Sequence, residues 1–311
     1  MIAKKLMELR IPVLLLRSKK AYEIQPHLDQ VPTAGKSNAE LQIALLPEHS
    51  AIIGTVAMMV QVFSSESLVE TLTWFDETAS IEADMVRHWM PLRTRTFGDI
   101  HQIGTFNGKT SFATWVQQET QVTTIELPFT YRLSQESIGP VRRFYPKLVS
   151  KQPHQGVIAG KLKLRGCILV NFRSDTVQID TSRRAPYERA LAQRLAAAFI
   201  GQQISVIVTS PYSAQIPEPE ADGDAIRIQT INAIQGLETD VTIVTLTNRA
   251  VNEFVTRPER LVVAVTRARK LTIIIGDKNK LNKKVPWFRN SEVWCPFDLE
   301  KLLTHNPLRL F

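Results

Sequence analysis

The chain has little cysteine: two residues, Cys167 and Cys295, among 311. They lie too far apart for the short ligand spacings of a zinc site, and too few cysteines are present for a disulfide-stapled scaffold. Reduced thiols in an intracellular setting, cytoplasmic or nuclear, are the expectation. The six histidines are scattered, none at ligand spacing from another, so no histidine metal cluster is expected. Long apolar runs are also missing. No stretch reaches the roughly 18 residues a membrane-spanning helix requires, which excludes a membrane partner at this level. The opening run MIAKKLMELRIPVLLLRSKK couples positive charge to an apolar patch, yet IPVLLL is too short for a secretory signal and no small-residue cleavage site follows. No repeat at a solenoid period is visible.

What is present is the composition of a globular protein, with 44% hydrophobic and 22% charged residues. The length allows one large domain or two ordinary ones. A net charge of +8 and a pI near 9.5 favour a polyanionic partner without specifying one.

The most informative stretch runs from Arg227 to Asp277. Two short runs rich in β-branched residues, Val241–Leu246 and Leu271–Ile275, suit strands buried on both faces, as in a parallel sheet. Polar clusters surround them: Gln235-Gly236-Leu237-Glu238 and Thr266-Arg267-Ala268-Arg269. Upstream, Ile11–Leu16 and Gly166–Val170 read as strands. Ala51–Val60 reads as a short apolar strand opening onto Gly54-Thr55. Pro186–Ile200 reads as an amphipathic helix, because Leu191, Leu195 and Phe199 recur at four-residue spacing and proline suits the first turn. Ile204–Thr209 is a further strand, followed by Ser210-Pro211-Tyr212-Ser213-Ala214-Gln215. Strands alternating with helices through short links imply a mainly parallel sheet with right-handed crossovers.

Several polar blocks punctuate this pattern. Asp76-Glu77-Thr78 closes a strand-like run, Gly98-Asp99 with Gln102 follows, and Tyr131-Arg132 precedes Phe144-Tyr145 and Leu148. With Thr230, Gln235, Gly236 and Glu238, and with Arg260 and Thr266-Arg267-Ala268-Arg269, these blocks resemble motifs II to VI of superfamily-1 helicases. The resemblance is to the group containing the nonsense-mediated-decay helicase. It covers roughly Ile11 to Lys280 and departs at Thr78, Thr130, Leu133, Ser213 and Val262, where relatives tend to carry other residues.

The resemblance implies an α/β fold of P-loop NTPase (RecA-like) motor domains, parallel sheets flanked by helices. It implies a partial first domain over residues 1–115, a complete second domain over 116–285 and a tail over 286–311. It implies ATP and Mg²⁺ as cofactors and single-stranded RNA or DNA as partner. Asp76 would hold Mg²⁺, with Glu77 orienting the attacking water. Gln102, Arg132 and Arg267 would meet the phosphates, Arg267 as the finger that reaches the γ-phosphate. Gly236, Glu238, Gln215 and Arg260 would serve the nucleotide, and Thr55, Tyr212 and Thr230 the nucleic acid.

One part of the pattern is missing. A glycine-rich loop ending in lysine grips the β- and γ-phosphates in this family, well over a hundred residues before motif II, whereas only 75 residues precede Asp76 here. Gly35-Lys36-Ser37 has the end of such a loop, but Gln30 stands where its first glycine belongs and no apolar strand leads into it. Weak or absent ATPase activity is therefore expected of this chain alone. Three readings stay open: a helicase core whose front is supplied by another polypeptide or belongs to the same gene, a non-catalytic module binding nucleic acid or protein, and an unrelated phosphate-binding enzyme built on Lys36.

Overall fold

The structure, a computed structural model, describes residues 2–16, 33–34, 39, 43, 46, 50–64, 68, 71–90, 92–105, 108–119, 121–152, 157–159, 162–172, 175–216, 226, 228–247, 253–285 and 295–297. Gly35-Lys36-Ser37 and most of the stretch read as a tail lie outside these residues. The chain divides into two units, one of residues 1–100 and 104–122, the other of 101–103 and 123–311.

In the first unit, strands β1 (Val13–Leu16), β2 (Thr33–Ala34) and β3 (Ala51–Gly54) form a parallel sheet in the order β2-β1-β3. All four residues of β1 are buried, as its unbroken aliphatic run requires. The run 51–60 is not strand throughout. β3 stops at Gly54, and Thr55 caps helix α1 (Val56–Val62) by accepting the Met58 N–H at 3.4 Å. Leu16 pairs with Gly54, where a β-carbon would sit 3.1 Å from that of Leu16. A second parallel pair joins β4 (Thr73–Phe75) to β5 (Thr94–Thr96). Phe75 on β4 turns inward onto Val86, Trp89, Phe112 and Val116, the last two from helix α2 (Phe112–Gln118). Edge-on ring contacts at 5.2 Å to Phe112 and 6.1 Å to Trp89 fix its position.

The second unit contains a short parallel pair, β6 (Phe129–Thr130) with β7 (Val149–Ser150), and a six-stranded sheet. The strands of that sheet are β8 (Gly166–Asn171), β9 (Val206–Ser210), β10 (Ile228–Thr230), β11 (Thr239–Thr245), β12 (Ala268–Gly276) and β13 (Cys295–Phe297). Their order is β10-β9-β11-β12-β8-β13 and all five pairings are parallel. β13 lies within the stretch read as a tail and adds an edge strand.

Helix α3 (Pro186–Ile200) has the bounds its sequence predicts and packs Leu191, Leu195 and Phe199 with Ile168, Val208, Ile243 and Ile273 on one face. Helix α4 (Pro258–Val265) packs Leu261, Val262 and Val265 with Leu169, Val244 and Ile274 on the other. Alternate residues of each strand thus feed two cores, which is why both strand faces are aliphatic. Helix α5 (Lys278–Lys284) follows β12, its N-terminus capped by Asp277, whose Oδ1 accepts from Asn279 N–H at 2.9 Å and Lys280 N–H at 3.2 Å. The α/β architecture of parallel sheet and flanking helices is the one the sequence predicts. Among the described residues, no helix is long and apolar enough to cross a membrane.

Candidate functional site

The parallel register builds a charged edge in the second unit. Thr239 pairs with Ala268 at the starts of β11 and β12. Glu238 directly precedes β11, and Arg267 and Arg269 flank the first residue of β12, so residues about thirty apart meet at one rim. Glu238 Oε1 receives an N–H of Arg269 at 3.3 Å, and Glu238 Oε2 receives Arg132 Nε–H at 3.1 Å. Arg132 also reaches the Thr266 carbonyl at 3.5 Å. It is aimed there by a turn at the end of β6, in which Thr130 Oγ1 accepts the backbone N–H groups of Arg132 at 3.2 Å and Leu133 at 3.3 Å. Asp240 faces Arg269 and Lys270, each at 3.4 Å. Arg132, Arg269 and Lys270 thus outnumber Glu238 and Asp240, and the surplus positive charge suits a polyphosphate.

Arg267 is placed differently from its neighbours. It is 1% exposed, among the largest fully buried side chains of the chain. Its Nε–H donates to the Val263 carbonyl at 3.2 Å, and one terminal nitrogen donates to Thr266 Oγ1 at 3.0 Å and Gln102 Oε1 at 3.3 Å. A buried guanidinium is tolerable only when hydrogen-bonded in this way. The contact brings together Gln102 and Arg267, which the sequence reading assigns to the same chemistry from positions 165 apart.

The turn between β10 and β11 holds two more of the expected residues. Thr230 ends β10 and its Oγ1 accepts the Ala233 N–H at 3.3 Å. Gly236 has φ +78°, a left-handed conformation that favours glycine.

At the opposite rim, where β9 ends, Gln215 and Tyr212 are internal and Arg260 is partly buried. Gln215 is fully buried, and its amide is spent on one residue: Oε1 accepts Ala185 N–H at 2.8 Å and Nε2 donates to the Ala185 carbonyl at 3.2 Å. Tyr212 is buried and stacks on Phe254 at 5.4 Å. The Arg260 guanidinium lies over the Phe254 ring, 3.6 Å from its centroid, and donates to the Phe254 carbonyl at 2.8 Å. Burial, and then the charge of Arg257, lower the Arg260 pKa from its ordinary value. Sequence reasoning missed Glu188 at this rim. It is fully buried on the first turn of α3, and its Oε1 accepts the backbone N–H groups of Leu246 at 2.9 Å and Thr247 at 3.2 Å. Only its place on the apolar face of a helix distinguishes it in sequence.

In the first unit, Asp76 follows β4 and is exposed, its Oδ1 accepting the Glu77 N–H at 2.9 Å. Glu77 adopts a left-handed conformation, φ +53°, and leads into a tight turn at Thr78–Ser80. Thr55 is engaged as the cap of α1. Among the described residues, no group of three or more His, Cys, Asp or Glu could hold a metal.

Residues 167–279 match the family model described as an AAA domain. An uncharacterised ATP-dependent helicase of Caenorhabditis elegans is 37% identical over 82 residues, which make up 26% of this chain and 5% of that relative. The arterivirus nonstructural protein 10 helicase, solved in complex with DNA, matches at 18% identity and a TM-score of 0.49, over 90% of this chain and 56% of the viral one. The helicase of the virus abbreviated PRRSV matches at 16% identity and a TM-score of 0.45, over 86% of this chain and 47% of that one. The AAA-domain match and the nematode relative show a helicase-like resemblance over part of the chain, which spans only a small share of that relative's length.

Proposed function

We propose that the chain is the C-terminal part of an ATP-dependent helicase core of the nonsense-mediated-decay group, acting in the cytoplasm or nucleus on single-stranded RNA or DNA. The observation that carries this is the convergence of Arg132, Glu238 and Arg269 at one sheet rim, with Arg267 buried against Gln102 and Thr266. Arg132 and Arg269 would hold phosphate oxygens, and Glu238 and Gly236 would serve the nucleotide sugar. Asp76 would hold Mg²⁺ and Glu77 would orient water. Without a GxxxxGK[ST] loop in this sequence, the chain alone is proposed to be a poor ATPase.

A second reading, a nucleic-acid- or protein-binding module derived from a helicase, is favoured by the engaged donors of Arg267, which bond to protein groups. One experiment separates the two. The purified chain is assayed for hydrolysis of Mg-ATP with and without single-stranded RNA and DNA. Strand-stimulated turnover that is lost in Arg132→Ala supports the motor. Strand binding with no turnover supports the module. Loss of nucleotide binding in Lys36→Ala would overturn both in favour of a phosphate site at that lysine.

A further inference from the structure

The rim that carries Arg132, Glu238 and Arg269 is built on a β-bulge. Thr239 of β11 pairs with Ala268 of β12 and Val241 pairs with Leu271, so Asp240 alone faces both Arg269 and Lys270. Neighbours on a regular strand point to opposite faces. Here the extra residue turns both cations the same way, and Arg269 Nε and Lys270 Nζ each stand 3.4 Å from Asp240 Oδ1. The Thr239 N–H donates to the Arg267 carbonyl at 3.1 Å and pins Glu238 beside the bulge. Glu238 Oε1 then accepts from Arg269 at 3.3 Å, and Oε2 from Arg132 at 3.1 Å.

We infer that Glu238 is a latch, an internal anion that occupies Arg132 and Arg269 until a polyphosphate displaces it. The inference rests on the nucleotide role proposed for this rim and adds a regulatory step to it. A carboxylate between two guanidiniums makes the charge-assisted bonds that phosphate oxygens would make there, so ligand and Glu238 compete for the same donors. The contact is built to release. The side chains of Arg132, Glu238 and Arg269 are 33%, 40% and 43% exposed, and ion pairs this wet each hold by about fivefold at most. Arg132 keeps its aim once released, because Thr130 Oγ1 holds its backbone N–H at 3.2 Å independently of Glu238. Displacement also frees the Glu238 carboxylate for the nucleotide sugar, so one side chain serves both states.

The test is isothermal titration of the full chain with inorganic tripolyphosphate at low salt, where exposed charges are screened least. This probe has no sugar, so it reads the latch apart from the sugar role of Glu238. Glu238→Gln keeps the shape of an exposed side chain but removes the competing charge. It should tighten binding about fivefold, the equivalent of two modest exposed pairs. Asp240→Asn removes the same charge from the neighbouring carboxylate, which holds Arg269 and Lys270 but not Arg132. It should tighten binding by about twofold at most. Equal tightening by both variants would reduce the effect to general charge and overturn the latch. Unchanged or weaker binding in Glu238→Gln, with the unsubstituted chain binding, would also overturn it and leave the nucleotide reading standing. No binding by either protein would overturn both.

Discussion

Gln215 and Ala185 hold each other by both polar ends of the glutamine amide, an acceptor at 2.8 Å and a donor at 3.2 Å, with both residues fully buried. Ala185 immediately precedes helix α3, so the contact ties the start of that helix to the turn that follows β9. The sequence reading places Gln215 at a nucleotide or strand, and the geometry gives its amide an internal use.

Gln215→Ala should therefore cost stability first. It leaves a buried N–H and a buried carbonyl without partners, each worth about 1–3 kcal/mol. Urea unfolding followed by circular dichroism should show a loss of about 2–4 kcal/mol. A variant of unchanged stability that has lost nucleotide or strand binding would restore the ligand role.

Arg267 poses the same question more sharply. Removing its side chain opens a cavity and strips Gln102 Oε1, Thr266 Oγ1 and the Val263 carbonyl of a donor. Arg267→Ala should destabilise the second unit by about 3 kcal/mol or more. Any loss of turnover in that variant counts as chemical only at temperatures where thermal melts show it still folded. Arg132 is partly exposed, and its ion pair with Glu238 should be worth at most about 1 kcal/mol. Arg132→Ala should thus stay folded, so a matching drop in its melting temperature would contradict the burial argument.

In the first unit, Gly98 is required by Thr78. Both the Thr78 hydroxyl and its N–H donate to the Phe97 carbonyl, at 3.0 and 3.1 Å, and a β-carbon on Gly98 would stand 2.1 Å from that hydroxyl oxygen. Gly98→Ala should cost about 1–3 kcal/mol by overpacking. Adding Thr78→Ala should recover part of it, because the clashing oxygen is gone while the Thr78 nitrogen, 3.0 Å away, remains. Melts of the two single variants and the double variant would decide, and strictly additive losses would rule out the clash.

That pair shows where sequence was and was not legible. Gly98-Asp99 reads as part of a motif, and Thr78 as a departure from one. Only the fold reveals that the added hydroxyl is satisfied by Phe97. Helix α3 was legible to its bounds, because Pro186 opens it and its apolar spacing is regular. The apolar runs within β11 and β12 were legible, but both strands begin earlier, at Thr239 and Ala268, since ladder pairing does not stop where hydrophobicity does. β10 and β13 are three residues each and borrow their order from neighbours, leaving no local period to detect. Glu188 was invisible because its partners, Leu246 N–H and Thr247 N–H, lie 58 and 59 residues away.

Cys167 supplies a dependence on pH. It lies in β8, paired in register with Thr272 and 1% exposed, and burial pushes its thiol pKa far above the ordinary value of 9.0. The native chain keeps this proton at a pH where the unfolded chain releases it. Below about pH 9 the residue adds no slope to stability. Above it the unfolded state binds one proton fewer, so stability falls with rising pH by about 1.4 kcal/mol per pH unit from this group. Cys167→Ala removes that contribution, whatever fixed loss of packing it brings. Urea unfolding of both proteins between pH 8 and about 10.5 should show the unsubstituted chain losing stability more steeply, with the difference opening only above about pH 9. Native Cys167 should also resist alkylation by iodoacetamide until denaturant is added, because the thiolate is the reactive form. Parallel stability curves for the two proteins, or rapid native labelling at this position, would show that the strand opens far more readily than its burial implies.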